Sequence, residues 1–95
     1  MFLHVTNAKP LDGYRVEVCF DDGREGIADL TEALEGPMFG PLKDPEVFKK
    51  FRVDEELHTI VWPNGADVAP EFLYYQTFRE DPELQITFRK WGYIV

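Results

Sequence analysis

Residues 14–24 restrict the fold more than any other stretch of this chain. Tyr14, Val16, Val18 and Phe20 alternate with Arg15, Glu17 and Cys19, the period-two pattern of a strand with one apolar and one polar face. Asp21-Asp22-Gly23-Arg24 follows at once. An Asp-Gly pair accepts the positive φ of a tight hairpin turn, so a third strand is expected at residues 24–30, running back along the second. Lys9-Pro10-Leu11-Asp12-Gly13 is turn chemistry ahead of the strand, and residues 2–7 alternate weakly, with Leu3 and Val5 on one side. Three antiparallel strands present one apolar face that other segments must cover.

The covering segments follow in order. Residues 29–34 suit a short helical turn ended by Gly36-Pro37. Met38-Phe39-Gly40-Pro41-Leu42 reads as an irregular apolar loop; buried it is a lid on the sheet, the preferred reading, and exposed it is an interaction patch. Asp44-Pro45-Glu46 opens a helix, with Asp as N-cap, Pro at the first helical position and Glu at the positive end of the dipole. Val47, Phe48 and Phe51 form its buried stripe. Residues 57–62 are rich in β-branched side chains and read as a strand. Trp62-Pro63-Asn64-Gly65 then ends that strand in a turn, and Pro70-Glu71 begins a helix carrying Phe72, Leu73, Tyr75, Gln76 and Phe78. Residues 84–88, Leu-Gln-Ile-Thr-Phe, alternate like a strand, and the tail Trp91-Gly92-Tyr93-Ile94-Val95 is apolar. The expected architecture is α+β: an antiparallel β-sheet, a meander plus further strands, with two short helices packed on one face.

Composition bounds the function classes. The chain has 95 residues, of which 44% are hydrophobic and 15% aromatic; this supports one packed domain over residues 1–95 and argues against global disorder. No apolar run reaches the length of a membrane span and no secretory leader is visible, so a cytoplasmic location is expected. The single Cys19 fits that compartment. Ten Lys plus Arg against 18 Asp plus Glu give a net charge of −8. A nucleic-acid binder draws most of its affinity from a basic surface, so the charge argues for no nucleic acid and no anionic membrane as partner. It suits solubility or a basic partner.

No catalytic residue, cofactor-binding residue or metal ligand is expected. His4 and His58 are the only histidines beside one cysteine, too few for a four-ligand zinc site. Cys19 lacks an evident base to make it a nucleophile. The acidic pairs Asp21-Asp22, Glu55-Glu56 and Glu80-Asp81 sit in turn-like stretches, and Asp22-Gly23 is not a phosphate loop. Trp62 is open to two readings: a core residue closing the sheet against the last helix, which is preferred, or an exposed binding anchor.

Tyr14 to Phe20, Asp22-Gly23, Asp29-Leu30, Phe39-Gly40-Pro41-Leu42, Phe48 to Val53, Thr59-Ile60-Val61-Trp62-Pro63-Asn64-Gly65 and Leu73-Tyr74 together resemble a bacterial family, domain of unknown function 2442. The resemblance spans residues 3–78 and leaves 79–95 as a C-terminal extension; the Trp-Pro-Asn-Gly run is its most specific part. It implies a small α+β domain of the bacterial cytosol, from a gene often found beside that of another small protein, and so an antitoxin-like pairing. Some relatives append a helix-turn-helix domain; too few residues follow Phe78 for one, so a DNA-binding role is not expected to transfer. The resemblance supplies no catalytic residues.

The function expected is a non-catalytic protein–protein interaction or regulatory module, with Met38, Phe39, Leu42, Trp62, Tyr74, Tyr75, Trp91 and Tyr93 as candidate partner-binding residues. Ile94 and Val95 extend the tail, and a homodimer through an edge strand is a companion expectation. The alternative is a small-molecule-binding protein or enzyme with a site near Tyr14, Glu17, Asp67 and Tyr74.

Overall fold

The alternating apolar residues of the second strand fold as their pattern demands. In the computed structural model, which describes residues 3–94, β1 (Val5–Pro10), β2 (Arg15–Phe20) and β3 (Glu25–Asp29) form an antiparallel meander in that order. The β2–β3 register pairs Val16 with Ala28 and Val18 with Gly26, which puts Val16, Val18, Phe20 and Ala28 on the buried face. β1 pairs Ala8 with Val18 and Pro10 with Val16; an irregularity between Val5 and Asn7 then brings Val5 opposite Phe20, on the same buried side. Residue 2 of the expected first strand and Val95 of the tail lie outside the described residues.

A second sheet is a two-stranded hairpin, β4 (Arg52–Asp54) with β5 (Thr59–Val61). Its turn is built on Asp54, whose carboxylate accepts the amides of Glu56 at 2.8 Å and Leu57 at 2.9 Å. Those two amides, and Arg52 beyond them, hold the Asp54 carboxyl below its ordinary pKa. His58 closes the turn at φ +56°, and its carbonyl accepts the Val5 amide at 2.8 Å, tying the hairpin to the start of β1. The His4 and His58 rings stack there at 3.9 Å.

Helices cover the buried face of the meander. α1 (Gly36–Phe39) and α2 (Pro45–Phe48) are single turns joined by a 3-10 segment, and α2 starts as expected with the Asp44 carboxylate accepting the Glu46 amide at 3.0 Å. α3 (Pro70–Phe78) lies against the meander through Phe20, whose ring meets Tyr74 at 5.0 Å and Phe78 at 5.9 Å. Gly26 makes this approach feasible: a Cβ there would lie 2.6 Å from the Thr77 Cγ2. The core joins Leu30, Leu34, Leu42, Phe48, Ile60, Trp62, Leu73 and Phe88 to the strand residues. The fold is α+β, as its pattern suggested.

The expected strand at residues 84–88 is instead helix α4 (Gln85–Trp91), preceded by a 3-10 turn at Pro82–Leu84. Asp81 caps that turn by accepting the Glu83 amide at 2.9 Å, so Asp81-Pro82-Glu83 repeats the start signal of Asp44-Pro45-Glu46. The apolar spacing obeys a helix: Leu84 and Phe88, four apart, are buried, while Ile86 between them is 67% exposed. Gly92, at φ +88°, ends the helix, with the Tyr93 amide returning to the Phe88 carbonyl.

Candidate functional site

The candidate binding residues divide into buried and accessible sets. Trp62 is 2% exposed; its indole N–H donates to the Phe48 carbonyl at 2.8 Å, and its ring meets Phe39, Phe48 and Phe51. Leu42 and Tyr74 are buried as well. Trp62 and Leu42 pack within the core, and Tyr74 packs there too while keeping a margin open to a recess. Met38 is 45% exposed, Trp91 is 39% exposed, and Phe39, Tyr75 and Tyr93 are half-buried. The tail folds back on α3, where Tyr93 stacks on Tyr75 at 4.9 Å and meets Phe72 at 6.1 Å. Burial and then Glu71 raise the Tyr93 pKa. The Arg79 guanidinium lies 5.3 Å from the centre of the Tyr75 ring.

The four residues of the alternative site are each engaged elsewhere. The Tyr14 hydroxyl donates to the Lys43 carbonyl and its ring meets Phe48 edge-on at 5.4 Å. Glu17 lies on the outer face of the meander, 3.6 Å from Lys9. Asp67 forms an isolated antiparallel bridge with Val61. The Tyr74 hydroxyl donates to Asp22 Oδ2 at 2.7 Å. They do not share a partner, so the fold does not assemble them into one constellation.

Two of the surface recesses take in Asp67 and Tyr74 separately. One, of about 280 Å³, is lined by Ala33, Phe39, Asp67, Val68, Ala69 and Phe72. Its walls come from three segments: the 31–33 turn, the end of α1, and the approach to α3. The Asn64 side chain holds α1 against the turn after β5 by donating to the Met38 carbonyl at 2.9 Å, and accepts the Ala66 amide at 3.0 Å. Asn64 therefore serves both the turn and the position of α1. Asp67 supplies the one ionisable group of an otherwise apolar lining.

The other recess, of about 200 Å³, is lined by Leu3, Asp22, Tyr74, Leu84, Thr87 and Trp91. Burial first, then the Asp22 carboxylate, push the Tyr74 pKa up to about 12. Arg24 stands beside this pair, with Nε 4.0 Å from Asp22 and Nη1 3.5 Å from Asp81. Asp22 was legible from sequence only as a turn residue; its partner lies 52 positions away. On the outer sheet face Cys19 donates to Glu25 at 3.5 Å, and burial together with that carboxylate raises the thiol pKa. A raised pKa disfavours the thiolate that nucleophilic chemistry needs.

The sequence profile of the family described as Protein of unknown function (DUF2442) matches residues 5–79. The chain belongs to this family. Members of DUF2442 are thus what the Trp62-Pro63-Asn64-Gly65 run pointed to, and all the lining residues of the Asp67 recess fall inside the matched region. No curated protein matches the chain. Among solved structures the fold is similar to the crystal structure of a "Putative DNA Binding Protein" from Nitrosomonas europaea, with a TM-score of 0.72 and 21% identity over 84% of this chain and 52% of that one. This DUF2442 chain therefore spans about half the length of that protein.

That likeness corrects the exclusion of nucleic acid drawn from the charge. A net charge of −8 is a sum over the whole surface, whereas phosphate contact needs only a local basic area. Arg15 and Lys49 line one hollow together with Pro10, Leu11 and Asp12. Among the described residues no helix is long and apolar enough to cross a membrane.

Proposed function

We propose that this DUF2442 member is a non-catalytic interaction module whose acidic surface holds a basic, apolar segment of another protein, the antitoxin-like arrangement expected of a product paired with a neighbouring gene. The observation that carries the reading is the Asp67 recess. Its Phe39, Val68 and Phe72 walls suit an apolar side chain, and Asp67 at its margin suits a cation beside that side chain. Exposed Met38 and Glu32, with half-buried Glu71, are adjacent in sequence to its lining residues. A net charge of −8 would steer a basic segment toward it.

The test is binding of capped peptides that carry a leucine or phenylalanine beside two lysines, with glutamate-substituted peptides as controls. Binding of the basic set should weaken with salt, and Asp67→Lys should weaken it by about tenfold or more without lowering the melting temperature, since Asp67 is exposed. Equal binding of the glutamate peptides, or an unchanged affinity in Asp67→Lys, would refute the reading.

A second reading, duplex DNA binding, is favoured by the fold shared with the Nitrosomonas europaea protein. It locates phosphate contacts at the Arg15–Lys49 hollow. Fluorescence anisotropy with a labelled duplex at low salt decides it: affinity should fall steeply with salt and further in a double Arg15→Glu, Lys49→Glu variant. A protein that leaves the duplex free at low salt removes this reading.

A further inference from the structure

The recess beside Tyr74 shares no lining residue with the Asp67 recess, and its chemistry is two-sided. Leu3, Leu84 and the Trp91 ring give it an apolar wall, and Asp22 and the Thr87 hydroxyl give it a polar one. The Trp91 and Tyr74 rings meet edge-on, 6.0 Å between centres and 62° between planes. The Asp22 carboxylate is held in place on both oxygens: Oδ2 accepts the Tyr74 hydroxyl at 2.7 Å and Oδ1 accepts the Arg24 amide at 2.9 Å. Its side chain is 22% exposed, so it remains within reach of a ligand. Arg24 is shared between two acids, its Nε 4.0 Å from Asp22 Oδ2 and its Nη1 3.5 Å from Asp81 Oδ2. One guanidinium then faces two carboxylates.

This arrangement selects among ligand charges. An anion would meet Asp22 directly. A neutral apolar group would strip water from the carboxylate and return nothing for it. An ammonium group satisfies the carboxylate, and its alkyl body covers the leucines and the indole. A recess of about 200 Å³ admits about six non-hydrogen atoms at roughly 30 Å³ each. We propose that the Asp22–Trp91 recess binds a small organic ammonium ion, either a free short alkylamine or the end of a lysine side chain from a partner.

The experiment is a titration of ¹⁵N-labelled protein followed at the Trp91 indole and Thr87 amide signals. The probes are n-butylammonium, n-butanol and butyrate. Saturating shifts are expected with butylammonium in the millimolar range, with butanol and butyrate at least about tenfold weaker. Asp22→Asn keeps the shape and one acceptor oxygen, which can stay on the Arg24 amide while its NH2 donates to the Tyr74 hydroxyl, and should erase the preference for the ammonium. Trp91→Leu keeps an apolar wall and should weaken butylammonium severalfold through loss of the ring's area. Butanol binding as tightly as butylammonium would overturn the proposal, as would no saturation by about 100 mM. A folded Asp22→Asn protein that retained the full preference would overturn it too. A capped Ala-Lys-Ala peptide separates the sources: binding at least about tenfold tighter than butylammonium assigns the site to a partner's lysine, and equal or weaker binding assigns it to a free amine.

Discussion

Replacing Trp62 by alanine probes the core where the family's most specific run meets the helices. A buried tryptophan removes about 200 Å² from water, which at about 25 cal/mol per Å² is about 5 kcal/mol. Large aromatic-to-alanine changes in cores cost about 3–5 kcal/mol. Trp62 is 2% exposed and also satisfies the Phe48 carbonyl, so its loss strands a buried acceptor at about 1–3 kcal/mol more. A 95-residue domain holds about 5–14 kcal/mol in total. Trp62→Ala should therefore be marginal or unfolded at room temperature. Trp62→Phe keeps one ring against Phe39 and Phe51 but loses the N–H; at about 2 kcal/mol it should lower the melting temperature by about 8–16 °C. Thermal melts by circular dichroism, with urea titrations for the free energy, measure both. A drop smaller than about 5 °C in Trp62→Ala would refute the reasoning and return the indole to the surface as a binding anchor.

Two further outcomes follow from the geometry. Gly26→Ala should destabilise the fold by about 1–3 kcal/mol: the new methyl meets the Thr77 Cγ2 at 2.6 Å, and Thr77 is held by its hydroxyl bond to the Leu73 carbonyl. An unchanged urea midpoint would mean α3 does not approach β3 this closely. Tyr74 makes the alkaline limb of stability informative. Its pKa rises on folding to about 12, so the stability tied to the neutral phenol is intact below its unfolded value of about 10 and is lost as pH climbs from there to about 12. Tyr74→Phe should cost about 1 kcal/mol at neutral pH and flatten that alkaline limb relative to the parent in paired urea titrations. Parallel pH profiles for the two proteins would sink the assignment.

Local chemistry made much of the architecture legible. The alternation of residues 14–20 and the Asp22-Gly23 turn yielded the meander, and Asp44 capped its helix as its type and position required. The miss at residues 84–88 was also a local matter. Leu84, Ile86 and Phe88 satisfy a period of two, while Leu84 and Phe88 equally satisfy a spacing of four. The Asp81-Pro82-Glu83 start signal, already read correctly at Asp44, decides between them. Trp62 was placed in the core from its type and position, yet its acceptor on Phe48 lies fourteen residues back and could not be named beforehand.

The candidate sites were far less legible. Tyr14, Glu17, Asp67 and Tyr74 are combinable as residue types, and each has a separate neighbour. The meander and the helix starts at Asp44-Pro45 and Pro70 were legible because they rest on hydrogen bonds and apolar spacings a few positions apart, whereas residues 38–42 and 84–88, read as loop and strand, fold as helical segments. Only the tertiary structure decided that Asp22 meets Tyr74 across 52 positions, and that Asp67 borders an apolar hollow between α1 and α3. Such contacts depend on how α3 and α4 settle on the meander, and that is set by the packing of the whole core, including the space left by Gly26.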